Sequence, residues 1–439
     1  MSSADLRQLM QYILSTAQKH GATDASVAVN QDSGFSVDVR MGDVETVAFS
    51  EDQGISVTVH IGLRKGSASS TDRSTAAIDA MVVAACDIAR VSAEDPCSGL
   101  AESHLINNNY PVLDLYYPWS VSPTEAIQMA LACEQYALAQ DNRITNSDGV
   151  NIATYTFNHG YANTHGCENI VKSSRHSISC SLIAQDKGSM QRDYDYSTVR
   201  HPSDLLDFEL LAASAANRAV SRLGAKKIKT QKAPIIFSSR LSSSLFSNFI
   251  TAISGSNLYR KNSFLLDSVG SRLFPVGTKI YEQPSLLRGL GSAPIDGDGV
   301  PTRHNTIVDN GELKQYVLGC YSARKLGLTT TANSGGVFNL TVDASAGDLT
   351  SLLQRMKNGL LVTELMGHGV NGLTGDYSRG ASGFWIENGE IAYPVEEITI
   401  AGNLKDMFAN ILAIGSDLNP NSSTRCGSVL VAEMMIAGY

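Results

Sequence analysis

Glu364 and His368 stand four residues apart at the end of an apolar run, Leu360-Leu361-Val362. A carboxylate that takes a proton from water and an imidazole that ligates a cation are two of the parts a metallopeptidase needs. If residues 363–368 are helical, the two side chains share a face. The set is half complete, because the position where a second ligand would stand is Thr363. On spacing alone the expectation is the simpler one, a Glu and a His hydrogen-bonding beside a glycine-rich loop. That loop carries Gly375, Gly380 and Gly383, with Tyr377 and Arg379 between them. Glycine lets backbone approach closely, either within one domain or against another chain. The segment is a candidate for internal packing and equally for a subunit seam or a peptide groove.

Other chemistries lack their residues. There is no G-x-x-x-x-G-K-[ST], and Gly289-Leu290-Gly291 lacks a third glycine and is followed by Pro294, which spoils a dinucleotide turn. No G-x-S-x-G elbow occurs. Asp296-Gly297-Asp298-Gly299 looks like a calcium loop, but counting twelve residues puts Ile307 where a bidentate Glu is required. It reads as a turn. The seven cysteines are scattered and form no C-x-x-C, so no zinc ribbon or dithiol motif is present. Cys86, within VVAACDIA, reads as a buried free thiol. Among nine histidines, His159 and His165 lie six apart beside Gly160 and Gly166. A metal site needs three or four convergent ligands, so neither histidine makes one alone.

The elements that must position these residues follow from periodicity. Leu6, Leu9, Met10, Ile13, Leu14 and Ala17 predict a first helix, with Ser3 as its cap. Short strands are expected at 25–30, 34–40, 44–50 and 54–61, then a helix over 74–91. Ser122-Pro123-Thr124-Glu125 starts another helix with cap, Pro and capping-box Glu in order. Strands fill 143–197 and a helix covers 204–223. Helix, strands, helix thus occurs twice, which predicts two related α+β units at 1–92 and 122–230, joined by a Pro- and Asn-rich linker at 93–121. A larger C-terminal domain, 231–439, is expected to hold strand 234–239, helices 241–253 and 347–357, strand 360–365 and helix 402–413. Glu387-Asn388-Gly389-Glu390 predicts a type I′ hairpin turn inside 383–394. Strands and helices do not alternate regularly, so the fold class is α+β with mixed sheets.

With 439 residues and 43% hydrophobic content, the chain can bury a large core without disulfide or metal staples. Lys plus Arg total 34 against 43 Asp plus Glu, a net charge of -9, so nucleic acid is not an expected partner. Neither a secretory signal nor a membrane span is read from the sequence, and a reduced, cytoplasmic location is expected.

Several stretches resemble the TldD/PmbA family, and within it the PmbA branch, also called TldE. They are KGSASSTD (65–72), DPCSGL (95–100), RITNSDG (143–149), YRKNSFLLDS (259–268), YSARKLGL (321–328) and VTELMGHGV (362–370). The long run GDYSRGASGFWIENGEIAYPVEEITIAGNLKDM (375–407) and CGSVLVAEM (426–434) complete the set. The resemblance implies a subunit of a cytoplasmic, heterodimeric metallopeptidase that cleaves unfolded or leader peptides. It implies that the TldD partner holds the zinc and that this chain shapes the complex and the substrate groove, inactive by itself. TldD chains carry H-E-x-x-x-H and a later Cys. Carried across by position, Thr363 stands at the first His, Glu364 at the Glu, His368 at the second His and Cys426 at the Cys. A threonine hydroxyl is a poor zinc ligand and two remaining ligands seldom hold zinc tightly, so this chain is expected to hold no metal. Residues five apart lie ~140° apart around a helix, so the motif needs a local distortion, which Gly367 would permit. Two alternatives remain. One is a self-sufficient metalloprotease using Glu364, His368 and Cys426 with a further ligand such as His165 or His304. The other is a regulatory binding protein, since the family has been described as modulating DNA gyrase.

Overall fold

The computed structural model describes residues 2–439, and it is α+β with mixed sheets. Helix α1 (Ser3–Lys19) opens the chain. Its cap is Ser2, one residue earlier than expected, because Asp5 then falls at the third helical position and its carboxylate accepts from the Ser2 N–H at 2.9 Å. Strands β1 (Asp24–Arg40), β2 (Asp43–Ile61) and β3 (Arg64–Ser70) follow, then α2 (Thr75–Val91). The four short strands expected in this stretch are two long ones. Pairing of β1 with β2 runs unbroken through the polar Gln31–Gln53 and Asp32–Asp52 positions, because those side chains face solvent while the backbone ladder stays satisfied.

After the irregular 93–121 segment come α3 (Pro123–Leu138), β4 (Ile144–Asn163), β5 (Glu168–Asp186), β6 (Ser189–Val199) and α4 (Phe208–Ser221). The start of α3 carries the expected box: Ser122 accepts from the Glu125 N–H and Glu125 from the Ser122 N–H. Antiparallel pairing of β1 with β4 joins the 1–92 and 122–230 stretches into one six-stranded sheet, β3-β2-β1-β4-β5-β6. Its helix-bearing face buries two adjoining cores. Val27, Val29, Ile55 and Val57 pack with α1 and α2, and Val37, Ile152, Ile178 and Leu182 with α3 and α4. The 93–121 segment lies along the C-terminal part of the molecule. Asp95 accepts from Tyr321 Oη at 2.7 Å and Lys325 Nζ at 2.8 Å, and Arg324 donates to the carbonyl of Gly99 at 3.1 Å.

The C-terminal part contains β7 (Gln231–Phe237), α5 (Ser239–Ala252), α6 (Gly255–Tyr259), β8 (Ile280–Glu282), β9 (Thr306–Asp309), β10 (Glu312–Leu313) and α7 (Cys320–Leu326). It continues with β11 (Leu340–Val342), α8 (Leu349–Met356), β12 (Gly359–Met366), β13 (Asp376–Glu387), β14 (Glu390–Asn403), α9 (Leu404–Ala409), β15 (Ile411–Ile414) and β16 (Val429–Ala437). Asn388 and Gly389 both have positive φ, 54° and 84°, as the type I′ turn requires. The helix expected over 402–413 is shorter, because Ile411–Ile414 pairs with β16 instead. Strands run β14-β13-β12-β7-β16-β15, and β14 also pairs with β16, which closes the sheet into a barrel. Within this sheet, among the described residues, β7 and β12 are the one parallel strand pair. The barrel is filled by Phe237, Leu360, Val362, Ile398, Ile400 and Val431, and the same core includes Phe246, Phe249, Phe274 and Phe408, whose rings pack face-on and edge-on against one another. Ile236, Leu361 and Leu430 face outward and are buried again under α8 by Leu352, Leu353 and Met356. Burial on both faces explains why IIF (235–237), LLV (360–362) and VLV (429–431) read as unbroken apolar runs.

Candidate functional site around strand β12

Residues 363–368 are not helical; this corrects the conditional helical reading. Gly359–Met366 is strand: Leu360–Val362 pair with β7 on one edge, and the run continues along β13 through Glu364, Leu365 and Met366, whose ladder holds the backbone extended. Gly367, at φ 74°, then turns the chain out of the sheet. Val362 pairs with Gly383 and Glu364 with Ser382, so Thr363 is the extra residue of a β-bulge. Its hydroxyl is buried and has no hydrogen-bond partner among the described residues. The neighbouring strands are irregular at the same level: the β13–β14 register slips between Ala381 and Gly383, and Glu397 on β14 has φ 52°.

The bulge aims Glu364 at the end of α4. Its carboxylate accepts from the Arg222 guanidinium. Arg222 also donates to the carbonyl of Arg192 at 3.1 Å and to Asp193 at 3.4 Å, and Arg218 holds Asp193 at 3.1 Å. Asp193 is buried and Arg222 nearly so. Glu364 is therefore the outer member of an ion-pair chain tying the second unit to the barrel. A carboxylate engaged by a guanidinium has a lone pair committed to a structural donor, which leaves it poorly placed to take a proton from water.

His368 lies beyond the turn and is exposed. Cys426 lies within the barrel core, fully buried, with Sγ 3.2 Å from the Gly427 carbonyl. Burial pushes its thiol up to about 12, so it stays protonated, whereas a zinc ligand must be thiolate. Of the further ligands considered, His165 hydrogen-bonds Asp24 at 2.8 Å and the Ala101 carbonyl at 2.7 Å, and His304 stacks near Tyr281. Among the described residues no three His, Cys, Asp or Glu side chains converge to hold a metal ion. The donor set at the Thr363–His368 position therefore does not fit zinc.

The glycine segment divides by burial. Gly375 is buried, and a Cβ there would meet the Phe264 ring at 3.2 Å and Asn403 Oδ1 at 3.2 Å. Tyr377 turns into the core, edge-on to Phe237 at 6.4 Å, and burial pushes its hydroxyl up to about 12. Gly383 is buried where a Cβ would lie 1.9 Å from the Leu361 carbonyl. Gly380 and Arg379 stay partly exposed, and a Cβ on Gly380 would sit 3.3 Å from Met366 Cβ. Sequence reasoning missed Arg222. Its partner lies 142 residues away, and no local spacing signals the pair.

Family models cover most of the chain. They match a PmbA/TldA metallopeptidase domain 1 at residues 25–89, a central domain at 116–223 and a C-terminal domain at 230–438. The chain belongs to the PmbA/TldD family, on its PmbA (TldE) branch. It is 47% identical over 435 residues to the metalloprotease PmbA of Escherichia coli O157:H7, covering 98% of this chain and 97% of the relative. A Bacteroides thetaiotaomicron structure, described as a proposed modulator of DNA gyrase, superposes with TM-score 0.95 at 28% identity over 100% of both chains. TldE from Thermococcus kodakarensis shares the fold with TM-score 0.85 at 19% identity, covering 98% of this chain and 100% of that one. Among the described residues no helix is long and apolar enough to cross a membrane.

Proposed function

We propose that this chain is the non-zinc subunit of a two-component cytoplasmic peptidase. A TldD-type partner supplies the zinc, and the pair cleaves unfolded or leader peptides. One observation carries the reading: at the position of the family's metal motif, three of the four candidate residues have a structural job, and the fourth, His368, is left exposed without a second ligand beside it. Thr363 is a bulge residue with a buried hydroxyl, Glu364 is bound to Arg222, and Cys426 is a core thiol.

A surface suited to an extended chain supports the partnership. Only Ile55–Ile61 of β2 pair with β3, so among the described residues the β2 edge at 43–54 has no strand partner on that side. Val44, Val47 and Phe49 are exposed there, Phe49 at 74%. An open edge with apolar side chains accepts another strand through main-chain hydrogen bonds, with little demand on side-chain identity. That suits a partner subunit or an unfolded peptide.

The test is a peptidase assay of this chain, of a TldD-type partner and of their mixture, with zinc measured in each. The expected result is activity in the mixture alone and stoichiometric zinc in the partner alone. Activity of this chain by itself, lost on chelation and restored by zinc, would overturn the proposal.

A further inference from the structure

Strand periodicity sets which side chains leave the helix-bearing face of the first sheet. Val27, Val29, Val57 and Val59 bury against α1 and α2, so Ser26, Ala28, Ser56 and Thr58 point the other way. By the same alternation Phe157, His159, Ser173 and Arg175 share that opposite face, since Ile152, Ile178 and Cys180 are buried against α3 and α4. The face is covered by Ser292–Gly297 from the C-terminal part, which encloses a cavity of about 700 Å³. Clefts between parts of a chain are common ligand sites.

Two guanidiniums line this cavity, Arg175 and Arg200. Arg200 is 8% exposed. It donates to the carbonyls of Ser174 at 3.0 Å and Leu290 at 2.8 Å, and its Nε has no partner among the described residues. No carboxylate pairs with either arginine among the described residues. Burial, and then the like charge of Arg175, lower Arg200 to about 10. Two partly buried arginines elsewhere do hold acids: Arg222 pairs with Asp193 and Glu364, and Arg240 with Asp195 at 3.0 Å. A buried cation without a counter-charge is costly unless something supplies one.

Remaining charges along the wall are engaged. His159 pairs with Asp32 at 2.8 Å. Asp296 accepts from the N–H groups of Asp298, Val300 and Ser334 at 2.9, 3.0 and 2.9 Å. Otherwise the lining is uncharged, with Phe157, Val171 and Pro294 beside Asn169 and Ser292. A complementary ligand carries an anionic planar group and an uncharged body with apolar and amide parts. Two arginines suit a carboxylate, whose oxygens match the guanidinium fork.

We propose that this cavity binds the C-terminal carboxylate of a short peptide, with Arg175 and Arg200 as the anion clamp. The peptide character of the ligand rests on the peptidase reading above; the anion clamp does not. None of Thr363–His368 lines this cavity, and the clamp needs neither zinc nor a partner.

The test is isothermal titration calorimetry on the full chain alone, with three probes: an N-acetylated, uncharged tripeptide as the free acid, its C-terminal amide, and inorganic phosphate. The free acid is expected to bind at least tenfold more tightly than the amide. Arg175→Gln, at an exposed position, should weaken free-acid binding at least tenfold with an unchanged melting temperature. Arg200→Lys should weaken it while keeping the charge, because the fork is lost. Equal affinity for acid and amide, no binding of the acid, or wild-type affinity in Arg175→Gln would each overturn the proposal. Phosphate binding without peptide binding would also overturn it, by assigning the clamp to an inorganic oxyanion. Selective acid binding by a chain that never supports proteolysis would leave the clamp standing and sink the peptidase reading instead.

Discussion

Arg222 separates two uses of the same carboxylate. In an active base Glu364 would face water near a cation; here it faces a guanidinium that Asp193 already half neutralises. Glu364→Gln should leave the activity of an assembled complex nearly intact and cost about 1 kcal/mol of stability, since Glu364 is partly exposed. Arg222→Ala should cost more, about 3 kcal/mol, because it strands buried Asp193 with Arg218 alone. Urea midpoints of the two variants read the difference, and a collapse of turnover in folded, assembled Glu364→Gln would show that the carboxylate takes part. A second prediction concerns Glu282, fully buried and raised by burial from 4.5 to about 7 although Asn333 and the Phe338 N–H donate to it. A folded state that binds the proton more tightly loses stability as pH rises from the ordinary value through the raised one. Glu282 thus favours folding fully below pH 4.5 and loses up to about 3 kcal/mol of that by pH 7. His60 and His176, lowered by burial, act oppositely below pH 6.5, so the readout is a variant comparison. The destabilisation caused by Glu282→Ala should be larger at pH 5 than at pH 8, and an equal loss at both would mean that Glu282 is ionised throughout.

The bulged strand β12 shows what can be read from letters and what cannot. The apolar run and the Asn-Gly turn locate β12, β13 and β14 because burial and turn geometry are local demands. The bulge at Thr363 is set by which residue of β13 faces it, and that register carries no local signature. The same limit applies to the polar middle of β1 and β2, where side chains suggest a break and the backbone ladder crosses it. The Thr363 substitution itself was legible, and with it the half-complete ligand set. Burial of Cys426 and the turning of Tyr377 into the barrel were not, since both depend on barrel closure through β14 and β16. At this scale Gly383 is the sensitive glycine. Its close approach to the Leu361 carbonyl, on the strand that pairs with it, leaves no place for a methyl group. Gly383→Ala should destabilise by more than ~2 kcal/mol, read as a lowered denaturant midpoint. A midpoint equal to wild type would mean that the two strands move apart freely there.

At the scale of the whole molecule, one sheet spans the first two units, a barrel forms the third, and ion pairs such as Arg222–Glu364 tie them together. A docking surface for any partner is built from exposed positions. Gly380 is such a position: it is partly exposed on β13, one strand from Glu364 and opposite Met366, which is itself exposed at 45%. An added side chain there has solvent to enter, unlike one at Gly383. Gly380→Trp should therefore keep the fold, with a wild-type circular dichroism spectrum and a smaller loss of stability than Gly383→Ala, because Met366 must give only slightly at 3.3 Å, while projecting an indole from the face beside Thr363–His368. If that face is the seam with a TldD-type partner or borders the peptide path, the variant should lose co-elution on size-exclusion chromatography or lose cleavage of an unfolded peptide. Loss of co-elution assigns the face to the seam, and normal co-elution with lost cleavage assigns it to the path. Full assembly with full turnover would remove the β13 face from both roles and leave the open β2 edge, with Phe49, as the surface to mutate next.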